Sequence, residues 1–94
     1  MSHKHYTLLC TIFQDPPPVN IHWRELESLL NHVGATVELS HGARYKVSLN
    51  RASDFIHHPH HNSDCSRDLV KQVREFLAHA GVSPSAYEAK RNTQ

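Results

Sequence analysis

Histidine is the residue type that stands out in this chain, and its side chain suits chemistry at neutral pH. Ten of the 94 residues are histidines, and four of them fall within residues 57–61 (HHPHH). An unperturbed imidazole titrates at about pH 6.5, and its neutral form binds transition metals. The histidines therefore allow three functions: binding a polyanion at mildly acid pH, holding a metal, or transferring protons.

A metal site is one interpretation of residues 57–61, because Asp64 and Cys65 follow them. Neighbouring residues of a strand face opposite sides, so His57 and His58 do not readily bind one ion. The sequence also has no C-x-x-C or H-E-x-x-H pair to complete a tetrahedral set. We therefore predict no metal and no other cofactor. A Cys65 nucleophile is equally disfavoured, because no nucleophile elbow accompanies it.

Proton transfer by imidazoles is sufficient for metal-free cleavage of RNA. One imidazole takes the proton of the 2′-hydroxyl group, and another protonates the leaving oxygen. A surface for the phosphates is predicted on the last helix, where the spacing of Arg67, Lys71 and Arg74 places them on one face. Arg44, Lys46 and Arg51, which lie on or beside the predicted strands, would extend it. The alternative is a solvated surface on which acidic neighbours pair with these cations.

Length and composition limit the classes of function. Ninety-four residues with 38% hydrophobic residues predict one domain with a core built from a few short elements. The formal net charge of +1 excludes a uniformly basic, histone-like binder. Two cysteines form no disulfide framework, and no apolar stretch suits a signal peptide or a membrane span. We therefore expect two free thiols and a cytoplasmic protein without a membrane partner.

The hydrophobic spacing predicts an α+β fold. Apolar residues at helical spacing predict a short helix over residues 3–13, an amphipathic helix over 21–33 and a last helix over 66–80. Asn20 is the expected cap of the second helix, and Ser66 or Asp64 that of the last. Residues 1–20 are then an N-terminal extension that ends in a proline-rich spacer, 21–84 form the domain, and 85–94 are a flexible tail.

Alternation of apolar and polar residues predicts a three-stranded antiparallel sheet between the second and last helices. The strands are residues 35–39, 45–49 and a short stretch around 55–57, joined by turns at His41-Gly42 and at 50–54. Both helices must bury one side against the same face of this sheet. Arg44 and Lys46 are consequently expected on the opposite face, open to solvent or to a partner.

Five stretches, in this order and spacing, resemble the HicA toxins of bacterial toxin–antitoxin systems. They are residues 21–30 (IHWRELESLL), 34–35 (GA), 55–60 (FIHHPH), 70–77 (VKQVREFL) and 80–82 (AGV). The resemblance covers roughly residues 21–84. It implies a fold like the double-stranded-RNA-binding domain, with the order α-β-β-β-α. It further implies an mRNA interferase, a metal-independent endoribonuclease that blocks translation and is neutralised by a HicB-type antitoxin.

The resemblance also implies roles for particular residues. In typical members the catalytic histidine follows a turn glycine by two or three residues. Gly42 matches that glycine, and Arg44 and Tyr45 occupy the two positions here. Arg44 would then hold the scissile phosphate, while His57 or His60 transfers a proton.

Together these arguments predict a site on the sheet and the last helix. The expected catalytic residues are Arg44, His57, His60 and His41, and the expected RNA-binding residues are Gly42, Lys46, Arg67, Lys71 and Arg74. Two alternatives stay open. One is a catalytically inactive module of the same fold that binds RNA or protein, and the other is a histidine-rich metal-binding protein.

Overall fold

A computed structural model describes residues 3–16, 20–42, 44–57 and 64–92. For residues 90–92 it describes the backbone alone. These ranges contain four helices and three strands, which confirms the predicted α+β class. In chain order the elements are α1 (His3–Ile12), α2 (Trp23–His32), β1 (Thr36–Leu39), β2 (Arg44–Leu49), β3 (Ala52–His57), α3 (Arg67–His79) and α4 (Pro84–Asn92).

The three strands form one antiparallel sheet in the order β1-β2-β3, as predicted. Val47 at the centre of β2 pairs with Val37 of β1 and with Asp54 of β3, and its side chain is buried. Helices α2 and α3 pack against β1 and β3, respectively. Val47 and Ile56 are buried with the apolar sides of these two helices, so this face of the sheet is its inner face.

The turn between β2 and β3 is shorter than predicted. Leu49 already pairs with Ala52, so only Asn50 and Arg51 lie between the strands, and the expected turn over residues 50–54 is wrong. Asn50 has a φ of 55°, the left-handed conformation that a two-residue hairpin turn requires. Its side-chain amide donates a 2.6 Å hydrogen bond to the carbonyl oxygen of Ala80. The turn is therefore fixed to the end of α3.

Helix α1 is part of the domain and not an extension to it. Leu9 and Ile12 are both 0% exposed and belong to the same core as α2, α3 and the sheet. The helix packs against α2, α3 and α4. Burying two large aliphatic side chains is strongly stabilising, so a boundary at residue 20 does not separate a loose segment from a folded one.

A fourth helix replaces the flexible tail that we expected from residue 85. The Ser83 hydroxyl accepts a 3.0 Å hydrogen bond from the backbone N–H of Ala86, which caps this helix. Pro84 is its first residue, where a missing N–H costs nothing. The ring of Tyr87 lies 5.2 Å from that of Tyr6, so α4 packs on α1. The prediction of a tail is therefore wrong for residues 85–92.

The ends of the two longer predicted helices are explained by different contacts. At the start of α3, the Ser66 hydroxyl accepts a 3.1 Å hydrogen bond from the N–H of Leu69, as predicted. Asn20 is not the cap of α2, because the helix begins at Trp23 and His22 is the capping position. The His22 backbone pairs there with that of Asp64 in an isolated antiparallel bridge. None of the described helices is long and apolar enough to cross a bilayer.

Gln72 joins α3 to the edge strand β3. Its side-chain amide donates to the carbonyl oxygen of Phe55 at 2.6 Å and to the Asp54 carboxylate at 3.2 Å. We expect Gln72→Ala to lower the free energy of unfolding by about 0.5–1.5 kcal/mol, because the Phe55 carbonyl oxygen and one oxygen of the Asp54 carboxylate each lose a donor at a position that water reaches. Urea unfolding measures the change. The matched control is Glu75→Ala on the same helix, and equal stability of the two variants would contradict the prediction.

Two histidines join α1 to α2. The His5 and His32 rings stack with their centroids 4.3 Å apart, and His5 Nε2 lies 2.9 Å from the Ser28 hydroxyl. Burial, followed by repulsion from His32 and Lys4, lowers the pKa of His5 below its ordinary 6.5. The fold thus favours neutral His5, and its contribution to stability is present above pH 6.5 and lost as the pH falls below that value.

We therefore expect a modest fall in the midpoint of thermal unfolding as the pH is lowered from 7.5 to 5. His5→Gln should flatten this pH dependence, because the replacement keeps a polar group near Ser28 and does not titrate. Circular dichroism melts at each pH measure the effect. His3→Gln, an exposed position on the same helix, is the control. Parallel melting curves for wild type and His5→Gln at every pH would rule out His5 as the source.

Candidate functional site

The sheet face that points away from α2 and α3, the outer face, carries the predicted site residues of β2 and β3. The register pairs Arg44 with His57 and Lys46 with Phe55. All four residues are exposed, and alternation along each strand places their side chains on the same side. The sequence prediction that Arg44 and Lys46 lie on the face opposite the helices is therefore confirmed.

Arg44 and His57 form the chemically most capable pair on this face. Side chains of directly opposed residues begin about 4.5–5.5 Å apart at Cβ, so a phosphate held by Arg44 lies within reach of the His57 imidazole. The guanidinium carbon of Arg44 lies 5.2 Å from the centroid of the Phe55 ring. This cation–π contact restricts the position of a head group whose five N–H donors match phosphate oxygens.

The two cations of the outer face, Arg44 and Lys46, both lie on β2. Lys46 lies two residues from Arg44 on the same strand and face, and its partner on β1 is Glu38, an exposed carboxylate. Phe55, 43% exposed, offers an aromatic surface beside the cations. The face thus combines positive charge with an exposed ring, a combination typical of surfaces on which nucleic-acid backbones and bases lie.

The turn before β2 places His41 and Gly42 at the same end of the sheet as Arg44 and His57. Both turn residues are exposed, and the Ser40 N–H donates a 2.8 Å hydrogen bond to the Arg44 carbonyl oxygen. Gly42 has a φ of 67°, and a Cβ built there meets nothing within 4 Å. Glycine at this position is favoured by backbone conformation and not by lack of space.

The structure does not join the cations of α3 to the outer face. Gln72 of α3 contacts β3, the buried side of the helix carries Leu69 and Val73, and helical residues are offset by about 100° per position. Arg67, Lys71 and Arg74 therefore lie on another side of the helix, and α3 itself packs beneath the sheet. Of these three cations, only Arg67 lies in the first turn of α3. That end of the helix is the one that follows His57 along the chain.

The remaining predicted site residue, His60, lies outside the described residues, as do His58 and His61. Within the ranges that the structure describes, no group of three or more histidine, cysteine or acidic residues is placed to hold a metal ion. Cys10 and Cys65 are both free thiols. Burial raises the pKa of the Cys65 thiol to about 11, with the Asp64 and Glu25 carboxylates adding to the shift. Cys65 is therefore protonated at neutral pH and a weak nucleophile.

A His–Asp pair that the sequence analysis missed joins the starts of α2 and α3. His22 Nδ1 lies 3.1 Å from Asp64 Oδ1, and the side chains are 56% and 48% exposed. The backbones of the same two residues form an isolated antiparallel bridge. No local pattern announces this pair, because the residues are far apart in sequence and neither follows a motif.

A groove lies at the end of the sheet opposite to Arg44 and His57. This groove of about 440 Å³ lies between the start of β3 and the last turns of α3, and Arg51, Glu75 and His79 contribute to its lining. Of the residues predicted for the phosphate-binding surface, the groove contains only Arg51, which the structure places at the opposite end of β2 from Arg44. It therefore supplies positions for control substitutions that lie far from Arg44 and His57.

Comparison with known proteins yields no relative for this chain: no protein-family model, no curated protein and no solved structure matches it.

Proposed function

We propose that the chain is a HicA-like toxin, an mRNA interferase that acts in the cytoplasm and contacts RNA with the outer face of its sheet. The observation that carries the proposal is the Arg44–His57 pair, directly opposed on β2 and β3 and exposed on a face that α2 and α3 leave open. The segment α2-β1-β2-β3-α3 also has the element order of the double-stranded-RNA-binding domain, which the resemblance implies.

The proposed reaction is a transesterification within the RNA strand. The 2′-hydroxyl oxygen attacks the phosphorus, its proton passes to a base, and the bond between phosphorus and the 5′-oxygen breaks. The leaving 5′-oxygen takes a proton from an acid, so the products are a 2′,3′-cyclic phosphate and a 5′-hydroxyl. Arg44 stabilises the charge that develops on the phosphate, and His57 beside it is one of the two proton-transfer groups.

The cations of the outer face support contacts to the backbone rather than to base edges. Arg44 and Lys46 lie on alternate positions of one strand, as charges that neutralise neighbouring phosphates would. We propose a HicB-like antitoxin as the protein partner, and covering this exposed face would block the reaction.

The test is cleavage of an unstructured RNA by the purified full chain in the presence of EDTA. We expect fragments that end in a 2′,3′-cyclic phosphate and a 5′-hydroxyl, and no cleavage of the same strand with 2′-deoxy or 2′-O-methyl sugars. Expression in a bacterial host should arrest growth and fragment transcripts. An intact RNA after prolonged incubation with folded protein would overturn the nuclease proposal.

A second candidate is a module of the same fold that binds RNA without cleaving it. Arg44 and Tyr45 stand where the catalytic histidine of typical HicA toxins would stand, and this observation favours it. The same experiment separates the two candidates. Retention of intact RNA in a gel-shift assay, with no growth arrest in the host, supports the binding module.

A further inference from the structure

We infer that Phe55 is a platform on which one RNA base stacks, so that the substrate of the outer face is single-stranded RNA. This inference rests on the proposed function and names its substrate class. Phe55 is 43% exposed, and among the described residues Leu39 is the only other exposed large hydrophobic residue. Single exposed apolar side chains are common on protein surfaces, so the surroundings of this ring decide its role.

Both cations of the outer face lie next to the ring. Lys46 is the directly opposed residue on β2, and the guanidinium carbon of Arg44 lies 5.2 Å from the ring centroid. Phe55 remains 43% exposed with Arg44 in this position. A nucleotide complements this set of groups, because its phosphate is an anion and its base has a flat face. The phosphate meets the cations while the base covers the ring.

The backbone of Phe55 is fixed at the open edge of β3. Its N–H donates a 2.8 Å hydrogen bond to Asp54 Oδ1, and its carbonyl oxygen accepts a 2.6 Å hydrogen bond from the Gln72 amide. Both backbone groups therefore point away from β2. Phe55 and Lys46 consequently form an antiparallel pair without mutual hydrogen bonds, the kind in which opposed side chains lie closest together. A ligand meets a ring whose backbone is already ordered.

Small side chains follow the ring on the side away from Arg44. Ser48 and Ser53 are directly opposed on β2 and β3, one step of alternation beyond the pair of Lys46 and Phe55. Hydroxyl side chains of this size leave room for a planar base, and each both donates and accepts hydrogen bonds at its polar edge. The outer face thus has a phosphate site at the Arg44 end and a base site at its middle.

A base that stacks on Phe55 has left its own helix. In an RNA duplex the bases stack on each other, and a protein mainly contacts phosphates and 2′-hydroxyl groups across the minor groove. Aromatic side chains stack instead on unpaired bases of single strands and loops. The element order is that of a duplex-binding domain, but the exposed ring beside the cations favours an unpaired strand.

The experiment measures the affinity of the full chain for an uncleavable 2′-O-methyl RNA, as a single strand and as a duplex with its complement. Wild type should bind the single strand about 10-fold or more tightly than the duplex. Phe55→Ala should weaken single-strand binding by about 5- to 150-fold, the effect of losing one base–aromatic stack, and leave duplex binding unchanged. Phe55→Trp enlarges the ring and should bind the single strand at least as tightly as wild type.

Leu39→Ala is the matched control, because Leu39 is 68% exposed but pairs with Tyr45, whose side chain lies on the inner face. It should bind both forms like wild type. Phe55→Ala with unchanged single-strand affinity would overturn the stacking role, and so would weaker single-strand binding by Phe55→Trp. An equal loss for both forms in Phe55→Ala would make the ring only a support for Arg44, which overturns the stacking role too.

The same measurements separate this inference from the proposed nuclease. If wild type cleaves RNA and Phe55→Ala binds the single strand like wild type, the inference fails while the proposed function stands. If wild type binds single strands through Phe55 but leaves cleavable RNA intact, the nuclease proposal fails and the stacking role stands. Wild type that binds neither form of RNA overturns both.

Discussion

Replacing Arg44 with alanine should lower the single-turnover rate of RNA cleavage by about 100- to 1,000-fold. The guanidinium is the charged group best placed to stabilise a phosphate beside His57, since the two residues are directly opposed on the outer face. Loss of one preorganised group that stabilises a developing negative charge has effects of this size. His57→Ala should lower the rate by about 100-fold, because it removes a proton-transfer group.

The rate is measured with excess protein over a labelled RNA, so that binding and chemistry separate. Arg44→Ala should also weaken binding and reduce the dependence of log affinity on log salt, since each lost phosphate contact lowers that slope by about 0.7 for a single strand. Arg44→Lys keeps the charge without the planar fork and should give an intermediate rate. In a bacterial host, Arg44→Ala should relieve the growth arrest.

Arg51→Ala is the matched control for Arg44→Ala. Arg51 is an exposed arginine of the same sheet, but it lies in the turn between β2 and β3, at the opposite end from Arg44. Its replacement removes the same net charge without touching the outer-face pair. Equal cleavage rates for the Arg44 and Arg51 variants would mean that only total charge matters, and the Arg44–His57 pair would then have no catalytic role.

Local hydrophobic spacing explains why most of the fold could be predicted. The apolar sides of α2 and α3 and the alternation in β2 are visible in short windows of sequence, and their burial follows from those windows. The end of the β2–β3 turn was not visible in this way. It depends on Asn50, whose side chain contacts the carbonyl oxygen of Ala80 on another element.

The missed helix α4 has a local signal of another kind. Its sequence has few apolar residues, so hydrophobic spacing favours a tail. Ser83 and Pro84 nevertheless form a cap followed by a proline at the first helical position. Packing on α1 supplies further stabilisation through Tyr6 and Tyr87. Because these two residues are far apart in sequence, no local sequence pattern predicts their contact.

The same distinction applies to the candidate site: one part follows from local sequence patterns, and another depends on contacts between distant segments. Alternation within β2 predicts that Arg44 and Lys46 share the outer face, and the register adds His57 from the next strand. The His22–Asp64 pair, by contrast, depends on the bridge between the starts of two helices. The direction of the cations on α3 follows from the buried apolar side of that helix, which carries Leu69 and Val73 and turns Arg67, Lys71 and Arg74 away from the core.

Replacing Leu9 with alanine should lower the free energy of unfolding by about 2–5 kcal/mol. The side chain is 0% exposed and lies in the core that the helices share with the sheet, so its truncation leaves a cavity among α1, α2 and α3. Urea unfolding followed by circular dichroism measures the change. A loss of this size would be a large fraction of the stability of a chain of this length.

Thr7→Ala is the matched control, because Thr7 is exposed on the same helix and alanine is the better helix former. Its effect should stay within about 0.5 kcal/mol. A Leu9→Ala variant as stable as the control would show that α1 does not unfold cooperatively with the domain. The folded fraction of Leu9→Ala should keep the wild-type cleavage rate at low temperature, because Leu9 lies in the core and the proposed site lies on the outer face of the sheet. Stability and chemistry would then be separable, with α1 contributing to the first alone.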